Sequence, residues 1–267
     1  MPKPKKASQH SAPSPLAVER DGEIVILRLA RPDKRNALSD ATIEGLREFF
    51  ETIPDDVKAV VLAGMGDHFS AGLDLSEVTE RSVSEGVTHS RMWHRAFETI
   101  EFCTVPVVAV LHGAVVGGGL ELASSAHLRV AEESAFYALP EGQRGLFVGG
   151  GGSVRIPRLI GVSRMTDMMM TGRVLSAKEG HDAGISHYLV ENGAGLKKGI
   201  ELARRAAANA PLTNFAIIHA LPRIADADPA QGYVIESLMA AIAQGDKVAK
   251  DRLKAFLEKR APKVIRS

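Results

Sequence analysis

The sequence predicts an α/β core followed by an all-helical C-terminal region. Three observations carry this expectation. Short β-rich apolar runs alternate with helix-patterned stretches from Leu16 to about residue 193. Beyond that point only helical periods remain, punctuated by Pro211, Pro222 and Asp228-Pro229. The 267 residues are 45% hydrophobic and 24% charged, the balance of a chain that buries a sizeable core.

The elements follow in order. Residues 1–15 carry four prolines, three lysines and almost nothing apolar, the composition of a disordered, solvated tail. Residues 24–29 read as a strand closed by Arg31-Pro32-Asp33. Ser39 or Asp40 then caps a helix through about Thr52, with Ile43, Leu46, Phe49 and Phe50 on one face. Residues 59–63 are continuously apolar, as in a strand buried on both faces. A long helix is expected over 76–102 and a strand over 107–110, with further strands near 128–130, 135–137 and 187–190. Helices are expected at 194–209, 212–224, 229–243 and 245–260. The chain thus divides into a tail (1–15), a core (16–193) and a helical region (194–267).

Composition excludes several classes. With 33 Lys+Arg against 32 Asp+Glu the net charge is +1, which argues against a surface built to hold a polyphosphate backbone. The three tail lysines lack the interleaved aromatics of a nucleic-acid arm. No apolar run is long enough to span a bilayer or to form a signal-peptide core, so a cytoplasmic location is expected. The single cysteine, Cys103, excludes an internal disulfide and a Cys-rich zinc site, and reads as a buried, inert thiol. His89 and His94, five apart, do not share a helix face, and no metal site is expected. Met168-Met169-Met170 reads as flexible core filling. P-loop, dinucleotide and serine-elbow patterns are all missing.

What stands out is 25 glycines beside 5% aromatics. Three glycine-bearing segments each follow a strand: 68–75 (HFSAGLDL), 112–123 (HGAVVGGGLELA), and Leu139-Pro140-Glu141-Gly142 with the run Gly149 to Gly152. Each alone fits a tight turn. Together they point to a site. Gly117-Gly118-Gly119 opens a helix, so its N–H groups are unpaired donors at the positive end of the dipole. A second free N–H from Ala71-Gly72-Leu73 aimed at the same spot would complete an oxyanion hole for a carbonyl oxygen that gains charge. The runs at 72, 117–119 and 149–152 are all expected to leave amides free for that oxygen. Glu121 follows Gly118 by one helical turn, and Glu141 lies in a loop able to close over the site. Two carboxyls beside an oxyanion hole suit proton transfer next to a carbonyl.

The ordered set resembles the crotonase (enoyl-CoA hydratase/isomerase) superfamily from about residue 17 to 260. The resemblance is carried by 31–38 (RPDKRNAL), 69–75, 117–123, Pro140-Glu141, 155–161 (RIPRLIG), 170–173 (MTGR) and 255–260 (AFLEKR). It implies a crotonase-like spiral of ββα units with a C-terminal helical trimerisation region, giving a homotrimer or hexamer. It also implies acyl-CoA thioester substrates, coenzyme A being part of the substrate and no separate cofactor being needed. The thioester oxygen would sit between the N–H groups of Leu73 and Gly118. Arg35, Ala37, His68, Ala71, Leu73, Asp74 and Gly118 would contact the substrate and its CoA end.

Glu121 and Glu141, 20 positions apart, match the hydratase pattern: Glu121 would activate water for attack at Cβ and Glu141 would protonate Cα. The nearer alternative is a Δ3-Δ2 enoyl-CoA isomerase or another acyl-CoA-transforming crotonase; the isomerase needs only the acid matching Glu141 and is separated by Glu121→Gln. A noncatalytic or RNA-associated scaffold on the same fold is the more distant alternative. Gly142-Gln143-Arg144-Gly145 is more charged than the family's usual apolar residues there, and Gly149 to Val154 departs from its Pro-Gly-Ala-Gly-Gly pattern.

Overall fold

The computed structural model describes residues 14–77 and 79–258; most of the expected N-terminal tail and the last residues of the helical region lie outside them. Strands β1 (Leu16–Asp21) and β2 (Ile24–Leu29) form an antiparallel hairpin about Gly22. There follow α1 (Asp40–Glu51), β3 (Ala59–Gly64), α2 (Val83–Glu101), β4 (Val107–Leu111), β5 (Ala114–Val116), α3 (Gly118–Ser125), β6 (Leu128–Glu132) and β7 (Phe136–Ala138). Next come α4 (Gly152–Ile160), α5 (Val162–Thr171), β8 (Leu175–Ser176), α6 (Ala177–Ala183), β9 (Tyr188–Val190) and α7 (Gly195–Ala207). The chain then runs through α8 (Pro211–Phe215), α9 (Leu221–Asp226), α10 (Pro229–Gly245) and α11 (Lys247–Leu257).

The large sheet has the order β1-β2-β3-β4-β6-β9, parallel from β2 onward; a small sheet has the order β5-β7-β8. Successive units therefore place one strand in each sheet, β4 then β5 and β6 then β7, which is the spiral of a crotonase fold. Strand alternation explains the continuous apolar runs. In β2, β3 and β4, Val25, Leu27, Leu29, Val60, Leu62, Val107, Ala109 and Leu111 face the core under α1, α2 and α3. Their alternates Ile24, Ile26, Val61, Val108 and Val110 face α7, which supplies Leu202 and Ala203. A Cβ at Gly199 would lie 2.6 Å from Val110 Cγ2, so the missing side chain lets α7 approach the sheet closely.

Several boundaries differ from expectation. The helix expected from 76 begins at Val83, because Ser82 and Glu85 form a capping box; Leu75–Glu77 makes a separate 3-10 turn. α3 begins inside the glycine triplet, at Gly118, which makes that glycine its first helical residue. The helix expected over 212–224 is split by a π-helical turn at Ala216–Ala220, just before Pro222, whose missing N–H leaves the ladder one bond short. Residues 152–183, for which the pattern offers no element, carry three short helices and β8. Cys103 is buried, which pushes its thiol up to about 11. Of the methionine run, Met168 is buried and Met170 is exposed.

Candidate active site

Two turns meet at the site. The first is Ala71-Gly72-Leu73. The Gly72 carbonyl accepts from Leu38 N–H (2.7 Å), and Asp74 N–H donates to the Leu38 carbonyl (3.0 Å), so Leu73 is bracketed by Leu38. Gly72 N–H donates to Ser70 Oγ (3.1 Å), and Gly72 has φ +86°. The second turn is Val116-Gly117-Gly118, where β5 passes into α3. Gly117 N–H donates to the Ala138 carbonyl (2.9 Å), tying the helix start to β7.

The turns touch. A Cβ at Gly72 would stand 2.5 Å from the Val116 carbonyl oxygen and 3.1 Å from Gly118 N; one at Gly118 would stand 3.6 Å from Leu73 N and 2.7 Å from Trp93 Cζ3. Among the described residues neither Leu73 N–H nor Gly118 N–H has an acceptor. Two free amides, one at a helix N-terminus, thus open on a cavity of about 410 Å³. Glu121, Glu141, Trp93, Leu75, Phe147 and Arg144 also line it.

The carboxyls differ in environment. Glu121, 3% exposed, accepts at Oε1 from Gly150 N–H and Gly152 N–H, both at 2.8 Å. Burial raises its pKa; the amides of Gly152 and Gly150 and the charge of Arg155 oppose that rise. Glu141 Oε2 is buried and unpartnered among the described residues. Its pKa is pushed up to about 7, first by burial and further by the charge of Glu121, against its own backbone amide and Arg144. Gly117 makes room for it, since a Cβ there would lie 2.6 Å from Glu141 Oε1.

Of the residues singled out in the sequence, Ala71, Leu73, Gly118, Glu121 and Glu141 come together around this cavity. Arg35, Ala37, His68 and Asp74 do not line it. They belong to the adjoining layer formed by the 31–38 and 65–76 loops. The Arg35 carbonyl accepts from Ala71 N–H, and Asn36 Nδ2 donates to the Met65 and His68 carbonyls. His68 Nδ1 accepts from Ala114 N–H. Asp74 is buried, pairs with Arg31 (2.7 Å) and accepts from Ser76; these partners hold its pKa down to about 2, Ser76 first. The expectation that Gly72, the 117–119 run and the 149–152 run all leave amides free for a thioester oxygen is corrected: Gly72 spends its N–H on Ser70 Oγ, Gly117 on the Ala138 carbonyl, and Gly150 and Gly152 on Glu121. Trp93, Ser90 and Arg155 were not singled out as site residues. Ser90 Oγ donates to the Gly149 carbonyl (2.6 Å) and Arg155 to that of Gly150 (2.5 Å), contacts that no local pattern announces.

Known proteins match this chain over nearly its whole length. The sequence pattern of the enoyl-CoA hydratase/isomerase family matches residues 19–265. The chain is 30% identical to Enoyl-CoA hydratase EchA19 of Mycobacterium tuberculosis, covering 96% of this chain and 98% of the relative. It is 30% identical to a short-chain-enoyl-CoA hydratase of Clostridium acetobutylicum, covering 91% and 94%. A crystal structure of a Rhodopseudomonas palustris protein, described provisionally as an enoyl-CoA hydratase, superposes with TM-score 0.91 at 58% identity over 95% of this chain and 98% of that one.

Proposed function

The chain belongs to the enoyl-CoA hydratase/isomerase family, and from that premise we propose that it adds water across the 2,3-double bond of a 2-enoyl-CoA thioester. The observation that carries the reading is the contrast between the two carboxyls beside the free amides. One is gripped by two backbone donors, which favour its ionised form; the other has a buried oxygen, Oε2, with no partner among the described residues, which favours its neutral form.

In this reading the thioester oxygen accepts from Leu73 and Gly118 N–H, which stabilise the enolate-like charge. Glu121, with Oε1 fixed, uses Oε2 to take a proton from water as its oxygen bonds to C3. Glu141 gives its proton to C2. Transfer of the proton from Glu121 to Glu141 resets the pair, and the sum is one water added. The adjoining layer at Arg35, Ala37, His68 and Ala71 receives the CoA end, with Asp74 bracing it through Arg31.

We also propose self-association as a trimer or hexamer. Its support is the unpartnered apolar surface of the C-terminal helices, where Tyr233, Val234, Leu238 and Ile242 on α10 and Phe256 and Leu257 on α11 are exposed. No helix among the described residues is long and apolar enough to cross a membrane.

The test is direct. Purified protein with crotonyl-CoA should remove the conjugated thioester absorbance, and a panel of longer and branched 2-enoyl-CoA thioesters should rank the acyl preference. Retention of every substrate's absorbance, with Δ3 substrates isomerised instead, would overturn the hydratase reading. Light scattering behind size exclusion reads the assembly.

A further inference from the structure

Arg155 is a buried cation, its side chain 8% exposed, on the helix that follows the glycine run. Each of its three nitrogens donates: Nε to Ser124 Oγ (3.2 Å), Nη1 to Glu101 Oε2 (3.2 Å) and Nη2 to the Gly150 carbonyl (2.5 Å). Gly151, at φ +88°, lies against the guanidinium; a Cβ there would be 2.9 Å from Nη1. Ser124 belongs to α3, three residues beyond Glu121, and Gly150 is one of the two residues whose amides hold Glu121.

One guanidinium therefore joins the helix that carries Glu121 to the turn that grips it. A buried cation is a poor device for stability alone, because its desolvation offsets much of what its partners return. A planar fork, however, fixes three acceptors in one geometry, which a lysine ammonium does not reproduce. We propose that Arg155 is a positioning residue for Glu121, setting the 149–152 turn against α3 so that one carboxylate oxygen is held and the other is presented to the reactant water. The inference rests on Glu121 being the base of the proposed reaction.

Charge acts in the same direction. Arg155 opposes the burial that drives Glu121 toward its neutral form. The other charged neighbours are Glu141, which faces Glu121 across the cavity, Glu101, which pairs with Arg155, and His94 on α2, whose pKa is lowered by burial and then by the charges of Arg91 and Arg155.

The experiment compares Arg155→Gln, Arg155→Lys, Glu121→Gln and the double variant Glu121→Gln/Arg155→Gln in the full chain, with crotonyl-CoA as substrate. Arg155→Gln should lower kcat by about 100-fold, the order of loss for a displaced catalytic group, while KM stays nearly unchanged. The acid limb of the pH profile should move to higher pH, and Arg155→Lys should restore folding without restoring the rate. The double variant should be no slower than Glu121→Gln alone. Multiplying losses in the double variant, or an unmoved acid limb, would overturn the proposal. If Arg155→Gln does not fold, Ser124→Ala removes one anchor and leaves every charge in place; kcat should fall while KM holds, with no further fall in Glu121→Gln/Ser124→Ala than in Glu121→Gln alone, and an unchanged kcat overturns the proposal. Glutamate 13Cδ NMR separates this proposal from the reaction it rests on. The Glu121 resonance, assigned by its loss in Glu121→Gln, should titrate higher without the Arg155 charge even if no enoyl-CoA is hydrated. An unmoved titration would reject the positioning role by itself.

Discussion

Glu121 and Glu141 line one cavity, but the backbone grips them differently: Glu121 Oε1 takes two amide hydrogens from a distant turn, whereas Glu141 Oε2 takes none among the described residues. Replacing either with glutamine keeps the shape and removes the proton chemistry. Each variant should lose about 10²–10⁴-fold in hydration rate, the span for one general acid or base, with an unchanged circular dichroism spectrum. Wild-type rates in both would reject the assignment. In Glu121→Gln, an amide nitrogen placed at Oε1 would face Gly150 and Gly152 N–H, so the amide should turn its carbonyl there.

The pKa of Glu141, raised to about 7, has two consequences of the same sign. As the proposed proton donor it must be neutral, so kcat should fall as pH rises through about 7. In stability, the folded state keeps this proton over a range in which the unfolded chain has lost it. The favourable contribution is therefore fully present below the ordinary carboxyl range and is lost as pH rises toward and through about 7. Glu141→Gln should flatten that part of a plot of urea midpoint against pH. An unchanged slope would show that Glu141 is not the group responsible.

Gly72→Ala tests the oxyanion turn. The new methyl would meet the Val116 carbonyl oxygen at 2.5 Å from a backbone at φ +86°, so it must push the two turns apart. Strained backbone of this kind costs about 1–3 kcal/mol. The rate should fall by much more than KM changes, because the amides serve the transition state more than the ground state.

Gly199→Ala tests the opposite face of the sheet. Helix propensity favours alanine by about 1 kcal/mol, but its Cβ would lie 2.6 Å from Val110 Cγ2 and 3.4 Å from Val61 Cγ1, both buried side chains. Overpacking costs about 1–3 kcal/mol and should win, lowering Tm by a few degrees while kcat holds. A raised Tm would mean that α7 can shift on the sheet without loss.

The central strands were legible because they are short apolar runs whose burial on both faces leaves no polar alternate, as in Ala59–Gly64; β1, half exposed and carrying Glu19, Arg20 and Asp21, and the short β5 and β8 gave no such signal. The free amides were legible for a similar reason: a glycine triplet at a strand end is a local signal, and Gly118 occupies the first position of α3. The grip on Glu121 was hidden because its donors lie 29 and 31 residues away, at Gly150 and Gly152. The same distance effect misdirected the reading of the 149–152 run, whose glycines serve a carboxylate. Pro157 sits inside α4, where a proline is unfavourable, and the buried face with Ile156 and Ile160 offsets it.

The 141–152 segment begins with Glu141 and ends with the amides that hold Glu121. In the proposed reaction, acid and base are therefore not independent of each other: the stretch that delivers one also tethers the other. An insertion or deletion within it would disturb both proton positions at once, while the amides of Leu73 and Gly118, built on separate turns, would stay in place. Divergence toward a new reaction on the same activated thioester would then proceed by exchanging one contiguous loop, a modular change that leaves the anion-stabilising half of the catalyst untouched.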